Sequence, residues 1–177
     1  MSIRNRIPPF KQILAVYGII TLIVFDWTII WFYWKLPSWL FFLNLGDIAT
    51  VFAYSMATNL LESLLVLCIP VALTIVLPKR WFADLFVSMA SALVIAGLGY
   101  TIYVALTVGG LQGYPGALVH SFPVVAILII FFAFLAGRIP ILRKAFEILA
   151  DRATIFSYIF FPIGIISLVI VIIRNIF

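Results

Sequence analysis

The chain has 177 residues, of which 66% are hydrophobic and 10% charged, against roughly 45–50% and 25% in a soluble domain. A soluble protein this apolar could not cover its surface with polar groups. A cytosolic globular domain, a disordered tail and a secreted disulfide scaffold are therefore excluded. The single cysteine, Cys68, also excludes intrachain disulfides, thiolate zinc sites and a CxxC redox pair. The net charge of +5 does not point to nucleic acid, because the cations cluster at the ends of apolar runs instead of forming a stripe among exposed aromatics.

Five apolar stretches reach the ~20 helical residues needed to cross a bilayer core. They cover residues 12–34, 48–77, 82–108, 118–137 and 154–173. Helices are the expected form, since they satisfy their own backbone hydrogen bonds in lipid. The first stretch follows basic residues, but it exceeds the ~7–15 apolar residues of a secretory signal and no small-residue cleavage site follows, so it is expected to stay as an anchor. The second is longer than a span requires, so either its start lies along the outer interface or the helix tilts. Pro70 and Pro162 fall inside spans and are expected to kink them, freeing the carbonyls of Val66 and Tyr158. On the third, Ser88, Ala92 and Ala96 recur every four residues, with Gly99 next, a spacing that lets backbones approach closely.

The cations set an orientation. Arg4, Arg6, Lys11, Lys79, Arg80, Arg138, Arg143, Lys144 and Arg152 fall on one side of the membrane, leaving Lys35 and Arg174 on the other. The positive-inside rule then places the N-terminus in the cytoplasm and the C-terminus outside. The fold class expected is an all-α, polytopic integral membrane protein with five transmembrane helices, one bundle over residues 1–177. A multi-pass protein of a prokaryotic cytoplasmic membrane is the expected setting. No connecting segment approaches the ~40 residues a chain needs to bury a core unaided. Any chemistry belongs to the bundle, to its surfaces or to another polypeptide.

Two connecting segments carry patterns of their own. Residues 36–46 are unusually apolar and, with Trp27, Trp31, Trp34, Trp39, Phe41 and Phe42 nearby, are expected to form an interfacial helix within an aromatic belt, or a surface for a partner. Residues 139–152 place Ile141, Leu142, Ala145, Ile148 and Leu149 on one helical face and Lys144, Glu147 and Asp151 on another, with Arg143 and Glu147 at i,i+4. That pattern predicts an amphipathic helix on the inner leaflet. The loop 109–117, GGLQGYPGA, lacks the spacing of a phosphate-cradling loop and is expected to be a tight connection.

An acid at the centre of a span costs roughly 2.5–3.5 kcal/mol on insertion scales, which singles out Asp26 and Glu62. Their positions put them about 21 and 24 Å from the inner edge, in the outer half of the core. Ser55, Asn59, Glu62 and Ser63 form one stripe on the second helix. Tyr100, Tyr103 and Thr107 form another on the third, and His120, the only histidine, opens the fourth span from the same side. Asp26, Asn59, Glu62, Tyr100, Tyr103 and His120 are therefore the candidates for an outward-facing polar pocket. The same groups also suit hydrogen bonding between helices, or pairing with another subunit.

One histidine allows no multi-histidine metal site, and neither a G-x-S-x-G elbow nor a catalytic triad can be assembled. Neither a cofactor nor a metal is expected, and the chain alone is not expected to be an enzyme. The layout resembles the five-helix membrane module that precedes the extracytoplasmic catalytic domain of lipoteichoic-acid-synthase-like proteins, which implies a membrane module of an extracytoplasmic enzyme as one alternative. The leading expectation is a non-catalytic membrane subunit that anchors, assembles with or stabilises a larger complex. The other alternative is a small carrier or binding protein whose pocket takes a proton, cation or small solute. Its partners would be the lipid bilayer and a membrane protein or a second copy of itself, with no nucleic acid.

Overall fold

In the computed structural model, which describes residues 8–78, 82–109 and 115–176, the apolar runs become five helices: α1 (Phe10–Trp39), α2 (Leu45–Val76), α3 (Phe86–Val108), α4 (Gly116–Arg138) and α5 (Pro140–Ile176). All five, with the 3-10 turn Ala83–Leu85 counted into the third, are long and apolar enough to cross a membrane. Arg4, Arg6, Lys79, Arg80 and loop residues 110–114 lie outside the described residues.

The first helix is the centre of the bundle. Its residues from Val16 to Thr21 are all buried, so every face of this stretch meets protein, as a helix apolar all round requires. It packs against α5, α2 and α3, most extensively against α5. Gly18 permits that contact, because a Cβ there would overlap the backbone of Ala153. Further out, Phe25 stacks on Phe160 at 4.8 Å. Where α5 meets α2, a Cβ on Gly164 would lie 2.9 Å from Leu60 Cβ. The stripe expected on α3 is only half used. Ser88 and Ala92 are buried, whereas Gly99 is exposed and nothing stands within 4 Å of a Cβ built on it.

The segment 139–152 is not a separate amphipathic helix, and this corrects the sequence expectation. A single residue, Ile139, separates α4 from α5, and α5 runs unbroken from Pro140 to Ile176. The cause lies in its buried positions: Ala150, Ala153, Ser157, Phe160, Gly164 and Ser167 alternate spacings of three and four. That heptad-like seam of mostly small residues continues through the supposed boundary without a change of phase. Leu142 and Phe146 extend the inward side, while Ile141, Ile148 and Leu149 are exposed. The Arg143–Glu147 pair does form, at 2.8 Å.

Residues 36–46 likewise form no helix of their own. The first part extends α1 through Pro37 to Trp39, and Leu40–Leu43 make a turn. Asn44 then caps α2, its side chain accepting from the Asp47 amide at 2.9 Å while the Asp47 carboxylate accepts from the Asn44 amide at 3.4 Å. This capping box is what starts α2 at Leu45. The prolines inside the helices, Pro37, Pro70, Pro123 and Pro162, interrupt none of them.

The fourth helix leans on α3 and α5. Between α2 and α4 run two apolar clefts of ≈ 380 and ≈ 530 Å³, walled by Val66, Pro70 and Leu73 on one side and Ala126, Ile127 and Phe131 on the other.

Candidate functional site

The α1–α2 hairpin supplies a scale for depth. Its turn is centred near Phe42, so Lys35 on α1 stands level with Ala49 and Thr50 on α2. Arg174, near the end of α5, donates to Thr50 Oγ1, and Tyr54 donates to Asn175 Oδ1 at 3.1 Å. Lys35 and Arg174 therefore mark one level.

About 10 to 18 Å beneath that level, α1, α2 and α3 enclose a groove of ≈ 200 Å³. Trp27 and Thr28 come from α1, Glu62 from α2, and Thr101 from α3, with Ile23, Leu98 and Ile102 as apolar wall. Helical side chains lean toward the N-terminus of their helix, so Glu62 leans along α2 toward the hairpin turn. It has no hydrogen bond or ion pair with any described residue. Asn59, one turn away, is 4% exposed and stands behind the wall. Its Oδ1 accepts from Thr28 Oγ1 at 3.0 Å, whereas its Nδ2 is buried with no partner among the described residues. A ladder of edge-on indoles, Trp27–Trp31 at 5.7 Å and Trp31–Trp34 at 4.9 Å, climbs from the groove toward the α1–α2 turn.

The polar candidates of the sequence therefore divide. Glu62 lines the groove, whereas Asn59 is buried behind it and reaches it only through its bond to Thr28. Asp26 lies at a similar depth but does not line it, and it too is without a polar partner among the described residues. Tyr100 faces the α3–α4 seam, 3.5 Å from Ser121 Oγ and edge-on to Phe122 at 5.9 Å. Tyr103 stacks on Tyr100 at 6.3 Å and is exposed, as is His120. Ser55 and Ser63 turn to their own helix carbonyls, Val51 and Leu60, and Ser63 also meets the Tyr17 hydroxyl at 3.2 Å. The stripe on α2 thus serves helix packing at Asn59 and Ser63, and leaves Glu62 free for the groove.

Trp27, Thr28 and Thr101 are the groove residues that sequence reasoning missed as a set. Thr28 and Thr101 resemble any in-span threonine until the facing helix is known. The only available signal was that Thr28 sits at the depth of Asn59.

The aromatic surface candidates lie together near the α1–α2 turn. Trp34, Phe41 and Phe42 are exposed, the last two at 83% and 85%, while Trp31 and Trp39 are half-buried. Phe41 and Phe42 stand at the turn that follows Trp39, the end of α1 four residues or about 6 Å past Lys35. Among the described residues no three His, Cys, Asp or Glu side chains come together where they could hold a metal ion.

No protein-family model, curated protein or solved structure matches this chain. Its chemistry is therefore read from these side chains alone.

Proposed function

We propose that the chain is a non-catalytic integral membrane subunit, N-terminus inside and C-terminus outside, that assembles with a larger complex in a prokaryotic cytoplasmic membrane. The observation that carries this reading is the hairpin turn. Past the level of Lys35 and Arg174, where a chain normally turns polar, this one presents Leu40, Phe41, Phe42 and Leu45, all more than half exposed. Exposed aromatic clusters of this kind suit a protein partner.

Native mass spectrometry of the chain, gently extracted from its own membrane, tests it. A co-purifying polypeptide is expected, and the double variant Phe41→Ser/Phe42→Ser should weaken its retention by roughly 30-fold or more, the loss of one hot spot, while leaving helicity unchanged. A wild-type chain that carries lipid alone would overturn the reading.

A second reading has its own support in the Glu62 groove. An acid without a partner, beside two hydroxyls and an indole, suits a small-solute site open toward the outside. The two readings are compatible, since one concerns the turn and the other the interior.

A further inference from the structure

We propose that the Glu62 groove binds an ammonium group. The inference rests on the groove being a solute site and names the chemistry it takes. Its acid is Glu62, and no described residue neutralises it, although the chain carries an excess of cations. Glu62 is exposed at this apolar-walled groove, and a carboxylate there favours a cationic hydrogen-bond donor, because charge-assisted bonds are the strongest available. Trp27 lines the same space and offers an indole, the best of the aromatic faces for a cation.

The other polar groups suit what an ammonium compound usually carries. Thr28 and Thr101 line the groove, and because their hydroxyl protons already go to Asn59 Oδ1 and Gly97 O, both at 3.0 Å, they face an ammonium group as acceptors. The volume, ≈ 200 Å³, limits the occupant to a small group. Free ethanolamine and the headgroup of an ethanolamine phospholipid share this chemistry.

Thiol protection separates the possibilities. Thr101→Cys, in a Cys68→Ser background, is placed in nanodiscs of phosphatidylglycerol and treated with a membrane-impermeant maleimide. Labelling is expected, and free ethanolamine should slow it in a saturable way. Glu62→Gln should weaken that protection by about tenfold or more, as loss of a charge-assisted bond implies. Protection in nanodiscs containing phosphatidylethanolamine, without added solute, would assign the lipid headgroup as the source. No labelling would overturn the open groove and the ammonium site together. Labelling that neither amine source slows would overturn the ammonium site and leave the groove standing. If Glu62→Gln does not fold, Trp27→Leu replaces it, with weaker protection again expected. Protection unchanged by whichever of the two variants folds would also overturn the proposal.

Discussion

Asn59 is held at one end only. Its carbonyl is tied to Thr28 across the α1–α2 contact, and its amide nitrogen is buried without an acceptor. Removing either partner of the pair strands the other, but replacing Asn59 also removes an amide donor that is already unmet. Thr28→Val should therefore destabilise the bundle by about 0.6–2 kcal/mol, the range for hydrogen bonds between membrane helices. Asn59→Leu should cost less than that, despite deleting the larger polar side chain. Thermal unfolding of both variants in one detergent checks the order, and a greater loss in Asn59→Leu would refute this account. The polar residues themselves were legible in the sequence, since an Asn or Glu inside an apolar run needs a reason. Which of them meet was not, because i,i+3 and i,i+4 spacings define a face of one helix and say nothing about the helix opposite. Asp26 and Glu62 lie at similar depths on different faces, and only the packing of α1 on α2 and α3 separates them.

At the scale of elements, the five apolar runs were readable from length and hydropathy, and their boundaries moved by a few residues except at the start of α5, which lies at Pro140 and not at 154. The two interfacial segments were not. For residues 139–152 the apolar pattern fits two faces about equally well, and choosing Ile141, Ile148 and Leu149 ignored the small residues. Ala150 and Ala153 belong to a seam that becomes recognisable only when followed to Ser167. Small side chains matter here because, between lipid-bathed helices, close packing replaces the hydrophobic drive. The contact of Gly18 with the Ala153 backbone is the tightest test of that statement. Gly18→Ala should destabilise by about 1–3 kcal/mol through overpacking. Gly99→Ala, at a helical position with open space, should be neutral or stabilising by up to about 1 kcal/mol. Unfolding of the two variants side by side distinguishes crossing geometry from a general effect of glycine.

For the whole molecule, the Lys35–Arg174 level and the cations of the α4–α5 junction define the two ends of the bundle. Ser38→Cys and Lys144→Cys, each in a Cys68→Ser background, report on opposite ends. In intact cells an impermeant thiol reagent should modify Ser38→Cys directly and Lys144→Cys only after permeabilisation. The reverse pattern would invert the orientation and place the aromatic turn in the cytoplasm. A partner that covers the turn would then be sought on that side.

The pairing of α1 with α5 also bears on how the protein is made. The helix that occupies the centre is the first to be synthesised, and its most extensive contact is with the last. At roughly 5–20 residues per second, the interval between the completion of α1 and that of α5 is roughly 7–30 s. Until then α2 and α3 can cover part of α1, but Gly18 lacks its native neighbour Ala153. An interruption of synthesis before α5 therefore leaves that side of α1 open.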